Sequence, residues 1–97
     1  MDSELRDRLD DFLCNRDERK LTYNMRGDIT IRSDGNRLAY VTVLFYSAIN
    51  EEGICLGPFE TPELLYSGIK SALNKLCDSS NVDDMLEVFL DVICENH

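Results

Sequence analysis

The chain has no tryptophan, two prolines, and a single histidine, which is its last residue. Nucleophilic Cys/His chemistry would depend on His97 at a fraying terminus. No glycine-rich phosphate loop is present: Gly57-Pro58 leads toward a helix start, but one glycine is only a turn signal. The four cysteines, at positions 14, 55, 77 and 94, are 41, 22 and 17 residues apart. Such spacing matches no metal motif and includes no CxxC pair. Long apolar runs are also missing. The longest, Leu38 to Ile49, is interrupted by Tyr40, Thr42, Tyr46 and Ser47, and is too short and polar to span a bilayer. The charged start, Met1-Asp2-Ser3-Glu4-Leu5-Arg6, carries neither a signal-peptide pattern nor a myristoylation glycine. A cytoplasmic protein is expected, without catalytic residues, metal or cofactor. Carboxylates are too abundant for any acid–base pair to stand out.

Positive charge is scarce. Ten bases face nineteen acids, a formal net charge of -9. Such a field repels nucleic acid and anionic membranes, and favours encounter with basic proteins. Solubility alone is the competing explanation. Hydrophobic residues still make up 43% of the chain, enough for one core in a single domain over residues 1–97.

What is present reads as α+β. Leu5, Leu9, Phe12 and Leu13 form one helical stripe, which predicts a helix over 3–16 capped by Asp2 or Ser3. After Lys20 the period becomes two. Leu21, Tyr23 and Met25, then Ile29 and Ile31, predict a hairpin turning at Gly27-Asp28. Asp34-Gly35-Asn36 predicts a second tight turn, followed by a strand from Arg37 to about Ser47. That strand is apolar on both faces, so one is expected buried and the other partly covered. Tyr40 and Tyr46, with Tyr23 nearby, are expected to pack under helices. Ile54-Cys55-Leu56 predicts a short fourth strand stopped by Gly57-Pro58. Thr61 and Pro62 then open a helix over 62–77, with Leu64, Leu65, Ile69, Ala72, Leu73 and Leu76 as its stripe. Gly68 within that stripe implies close approach by another element. A last helix over 81–95 completes the order α-β-β-β-(β)-α-α. The sheet is therefore antiparallel, with three or four strands, an N-terminal helix and two C-terminal helices.

That last helix holds the sharpest feature. From Asp78 to His97 there are six acids and no lysine or arginine. Asp84, Glu87, Asp91 and Glu95 share a face opposite the apolar stripe. At 1.5 Å rise per residue their carboxylates repeat every roughly 5–6 Å, close to the phosphate spacing of a nucleic-acid strand. Like charges at this spacing cost a few tenths of a kcal/mol per pair, and Glu95 opposes the helix dipole. A solvated face is the alternative. Glu51 and Glu52, in the loop after the third strand, would extend the same surface. The thiols look inert: Cys14 and Cys94 fall off the apolar stripes, Cys77 lies at the edge of one, and no basic neighbour is apparent.

In element order, size and charge the chain resembles small phage-encoded anti-CRISPR inhibitors. That resemblance implies a viral, non-enzymatic, stoichiometric inhibitor working in the host cytoplasm. Asp84, Glu87, Asp91, Glu95, Glu51 and Glu52 would then imitate phosphates and mask a basic, nucleic-acid-binding surface of a partner. The α-β-β-β-α portion also looks like a double-stranded-RNA-binding domain, but Thr61-Pro62-Glu63 is acidic where that family is basic. Acidic type III secretion chaperones are a third likeness. They represent the second functional class: a small dimeric adaptor or chaperone-like interaction domain, possible as a homodimer.

Overall fold

The computed structural model describes residues 2–23, 25–46, 52–78 and 80–94. Seven elements follow one another: α1 (Ser3–Cys14), β1 (Arg16–Tyr23), β2 (Gly27–Asp34), β3 (Ala39–Phe45), β4 (Glu52–Phe59), α2 (Pro62–Leu76) and α3 (Val82–Cys94). The strands form one antiparallel sheet in sequential order, β1-β2-β3-β4. The two central strands bury one side of their alternation, while the edge strands β1 and β4 are mostly exposed or half-buried. Ile29, Ile31, Val41 and Val43 face the same way and are fully buried. Leu9 and Leu13 of α1, Leu65, Ile69 and Leu73 of α2, and Phe89 of α3 complete a single core over that face. Complete burial of each such side chain stabilises the fold by about 1.5–3 kcal/mol relative to exposure.

Helix starts follow the local chemistry. The Asp2 carboxylate accepts from Leu5 N at 2.8 Å, and Thr61 Oγ1 accepts from Leu64 N at 3.2 Å. In α2 the buried stripe is Leu65, Gly68, Ile69, Ala72, Leu73 and Leu76; Leu64, expected within it, is exposed. Gly68 faces the sheet, and a Cβ there would lie 2.3 Å from the Phe59 ring of β4. The missing side chain lets the helix settle on that ring.

Several elements depart from the sequence reading. Helix α1 stops at Cys14, two residues before the predicted end, because the β2–β3 turn closes its C-terminus. Ser33 Oγ and Arg37 N both donate to the Leu13 carbonyl, at 3.1 and 3.0 Å. Strand β1 begins at Arg16, expected as the end of the first helix, and includes the charged residues 17–20 that precede the predicted alternation. It is an edge strand, so Glu18 and Lys20 point to water without loss. Gly27 lies inside β2, paired with Tyr23, and the turn precedes it. A Cβ on Gly27 would sit 2.1 Å from the Leu44 carbonyl, so close approach within the sheet requires the glycine. The Asp34-Gly35 turn is wider than a two-residue hairpin: Ser33 pairs with Ala39, and Asp34 Oδ1 accepts from the Asn36 and Leu38 amides at 2.7 and 3.2 Å.

Strand β4 runs through Gly57-Pro58, where it had been expected to stop. The chain crosses a register shift opposite Ala39–Val41, with a cis Gly57-Pro58 bond and Gly57 at φ +121°, a conformation open to glycine. Among the described residues, no helix lies over the second face of the sheet. Tyr40 pairs with Arg32 on that face, half-buried, and Tyr46 is 41% exposed; neither packs under the helices as expected, while Tyr23 does. Glu52, expected in the loop after the third strand, instead begins β4 with Gly53.

Gly68→Ala should gain about 1 kcal/mol of helix propensity and lose about 1–3 kcal/mol by displacing the Phe59 ring. We expect net destabilisation in wild type and a reversed sign in a Phe59→Leu background, read from a double-mutant cycle of urea unfolding.

A second expectation concerns acid. The Arg6 guanidinium, bonded to Glu63 Oε1 at 2.5 Å, holds that carboxyl below its ordinary value, and the bond from Arg37 does the same to Asp10. Both shifts are downward. Their contribution is thus present above the ordinary carboxylate range and is lost as pH falls through the depressed values. Glu63→Gln with Asp10→Asn should flatten the acid limb of stability against pH, measured by thermal unfolding from neutral pH down to about pH 2.

Candidate functional site

Helix α3 turns Val82, Leu86, Phe89 and Ile93 inward and Asp83, Asp84, Glu87 and Asp91 outward. Two contacts anchor the connection before it to the β1–β2 hairpin. Arg26 Nη1 donates to Asp78 Oδ1 at 2.9 Å, and Asn81 Nδ2 donates to Tyr23 Oη at 3.2 Å. These fix where α3 begins and which face it shows. Along its length it packs on α1 and α2, and it meets the sheet at β1.

Charge is compensated selectively. Arg8 and Arg37 pair with Glu4 and Asp10 of α1, and Arg6 pairs with Glu63 of α2. Arg19 pairs with Asp17, and Lys20 reaches the buried Asp28, whose Oδ2 also accepts from Tyr46 Oη at 2.5 Å. Among the described residues, no ion pair engages any carboxylate of α3. Among the described acids of the C-terminal segment, Asp78 has an ion pair, with Arg26, supplied from far away in sequence.

The residues singled out from sequence are thus distributed. Asp84, Glu87 and Asp91 lie exposed on α3, on one side of the helix. Glu52 opens β4, at the sheet edge opposite β1, and does not join them. Glu51 and Glu95 lie outside the described residues. Asp83, in the first turn of α3, is not among the acids singled out from the sequence. Nor does that set include Asp2, brought by α1 to the same groove as Asp83, Glu87 and Asp91. Their shared register, i, i+4 and i+8, was the available signal for Asp83.

Cys14 has a basic neighbour after all: Arg37 Nη1 donates to its Sγ at 3.2 Å. Arg37 holds this position from a left-handed backbone, φ +64°, at the end of the β2–β3 turn. Cys14, Cys55 and Cys77 are free thiols. No helix among the described residues is long and apolar enough to cross a membrane. Compared with known proteins, the chain matches no family model, no curated protein and no solved structure.

Cys77 is buried, and desolvation pushes its thiol upward, with Asp78 adding to the shift and Arg26 opposing it. Cys14 and Cys55 are exposed. In a titration with a chromogenic disulfide, Cys14 and Cys55 should react in the native protein, and Cys77 only at the rate of unfolding. Equal rates for the three, resolved by mass spectrometry, would contradict this.

Proposed function

We propose that this protein binds a basic partner through the exposed acidic face of α3 and excludes nucleic acid from the surface it covers. One observation carries the reading. Of the three helices, α3 is the one whose carboxylates have no cationic partner among the described residues, although arginines are spent on α1, α2 and the sheet. A solvated face needs no such segregation. Uncompensated like charges on one helix are mildly unfavourable for folding, and become favourable when a cationic surface meets them. The repeat of Asp84, Glu87 and Asp91 resembles the spacing of phosphates along a strand. The net charge of -9 adds long-range attraction to the same class of partner. The action is stoichiometric occupancy, without chemistry.

A second reading draws on the uncovered sheet face, where Tyr40 and Leu44 are half-buried without a helix above them. A dimeric adaptor would use that face. It predicts a dimer in sedimentation equilibrium whose partner affinity barely responds to salt.

For the first reading, Glu87→Lys with Asp91→Lys should weaken the complex about tenfold or more while leaving the unfolding midpoint near wild type. Affinity should fall steeply between about 50 and 500 mM salt, as screening lengths shorten. At one equivalent the wild type should release a labelled oligonucleotide from a partner captured in the source organism, and the double variant should not. A partner that binds both proteins alike, or keeps its oligonucleotide, defeats the proposal.

A further inference from the structure

We infer that the groove between α1 and α3 is a docking site for a basic amphipathic segment of a partner protein, an inference that rests on the acidic-face reading and makes it specific. Two abutting depressions of ≈320 and ≈400 Å³ share Asp2, Leu5, Leu90 and Asp91. Their floor is apolar. Leu86 is buried, and Leu5, Tyr66 and Leu90 are half-buried against the core. Their rim is acidic: Asp2, Asp83, Glu87 and Asp91 are exposed. Arg8 is the cation on the lining, and it is already paired with Glu4 at 3.3 Å.

This combination selects among occupants. A nucleic-acid strand or an anionic membrane is repelled by the rim. A second copy of this chain would bring its own charge of -9 to the same place. A small molecule is poorly held, because the depressions are open and their carboxylates are spread along the rim. A peptide helix with arginine or lysine beside large aliphatic side chains satisfies both parts. Its apolar side chains would cover Leu5, Tyr66 and Leu90, which folding leaves half in water. Its cations would meet carboxylates at the same period, since Asp83, Glu87 and Asp91 repeat every four residues, about 6 Å along the axis. The apolar anchor supplies an affinity that salt does not screen, and the acidic rim supplies orientation and speed of encounter.

The test uses the full chain and two synthetic peptides of about fourteen residues. One carries arginines at i, i+4 and i+8 beside leucines on an adjoining stripe. The other keeps the arginines and has serine at every leucine. Binding is read by fluorescence anisotropy and by amide chemical shifts. The leucine peptide should bind about tenfold or more tightly than the serine peptide. It should move the resonances of Leu5, Tyr66 and Leu90, and keep part of its affinity at about 0.5 M salt. Asp83→Asn with Glu87→Gln, conservative on an exposed face, should weaken it without changing the unfolding midpoint. Equal affinity of the two peptides would overturn the groove and leave the acidic-face reading standing. Shifts confined to residues away from α1 and α3, or no binding at low salt, would also overturn it. Failure of the oligonucleotide-release assay is a separate result and bears on the broader reading.

Discussion

Ile29, Ile31, Val41 and Val43 point to one side of the sheet and lose all contact with water beneath α1, α2 and α3. In a chain of 97 residues there is apolar surface for one such layer. The rest of the architecture follows from that limit. The helices gather on one face, and the other face takes threonine, lysine, arginine and tyrosine. Helix α3 has limited room on the sheet itself, so it rests in the angle made by α1 and α2, held at its start by Tyr23 and Arg26 of the hairpin. A helix docked mainly on other helices keeps a broad exposed side. That side carries the acids.

Local patterns in the sequence carried most of the fold. Leu9, Phe12 and Leu13 announced α1; Thr61-Pro62 announced α2; Val82 to Ile93 announced α3; and Gly68 announced a close contact, which proved to be Phe59. What was hidden depends on partners distant along the chain. Arg16 reads as the end of the first helix, and residues 17–20 carry no strand period, until β2 is laid beside them. Gly57-Pro58 reads as a stop until the register shift on β3 is seen. Tyr40 and Tyr46 read as core until pairing with β2 assigns them to the uncovered face. In each case the local signal was real, and long-range pairing decided its meaning.

The candidate site divides the same way. The exposed side of α3 was legible, because Asp84, Glu87 and Asp91 obey helical periodicity. That these three have no ion pair among the described residues was not legible. It depends on where six cations go, and Arg6, Arg26 and Arg37 reach acids 57, 52 and 27 residues away. Nor could the groove be read, since packing α3 beside the start of α1 creates it. A helix wheel shows which residues are outside; it does not show what stands next to them.

The interruption of β4 bears on which parts of the sheet another strand could extend. Among the described residues the sheet has two edge strands, β1 and β4, and an unprotected edge is open to pairing with a further strand. Here one border, β1, is lined with Arg16, Asp17, Glu18, Arg19 and Lys20, a sequence that is costly to stack against itself in register. The other border, β4, is irregular opposite Ala39–Val41 and contains Pro58, which has no amide to donate. The residues that defeated the simplest reading of the fourth strand are thus of the kind that makes a sheet edge a poor template for a further strand.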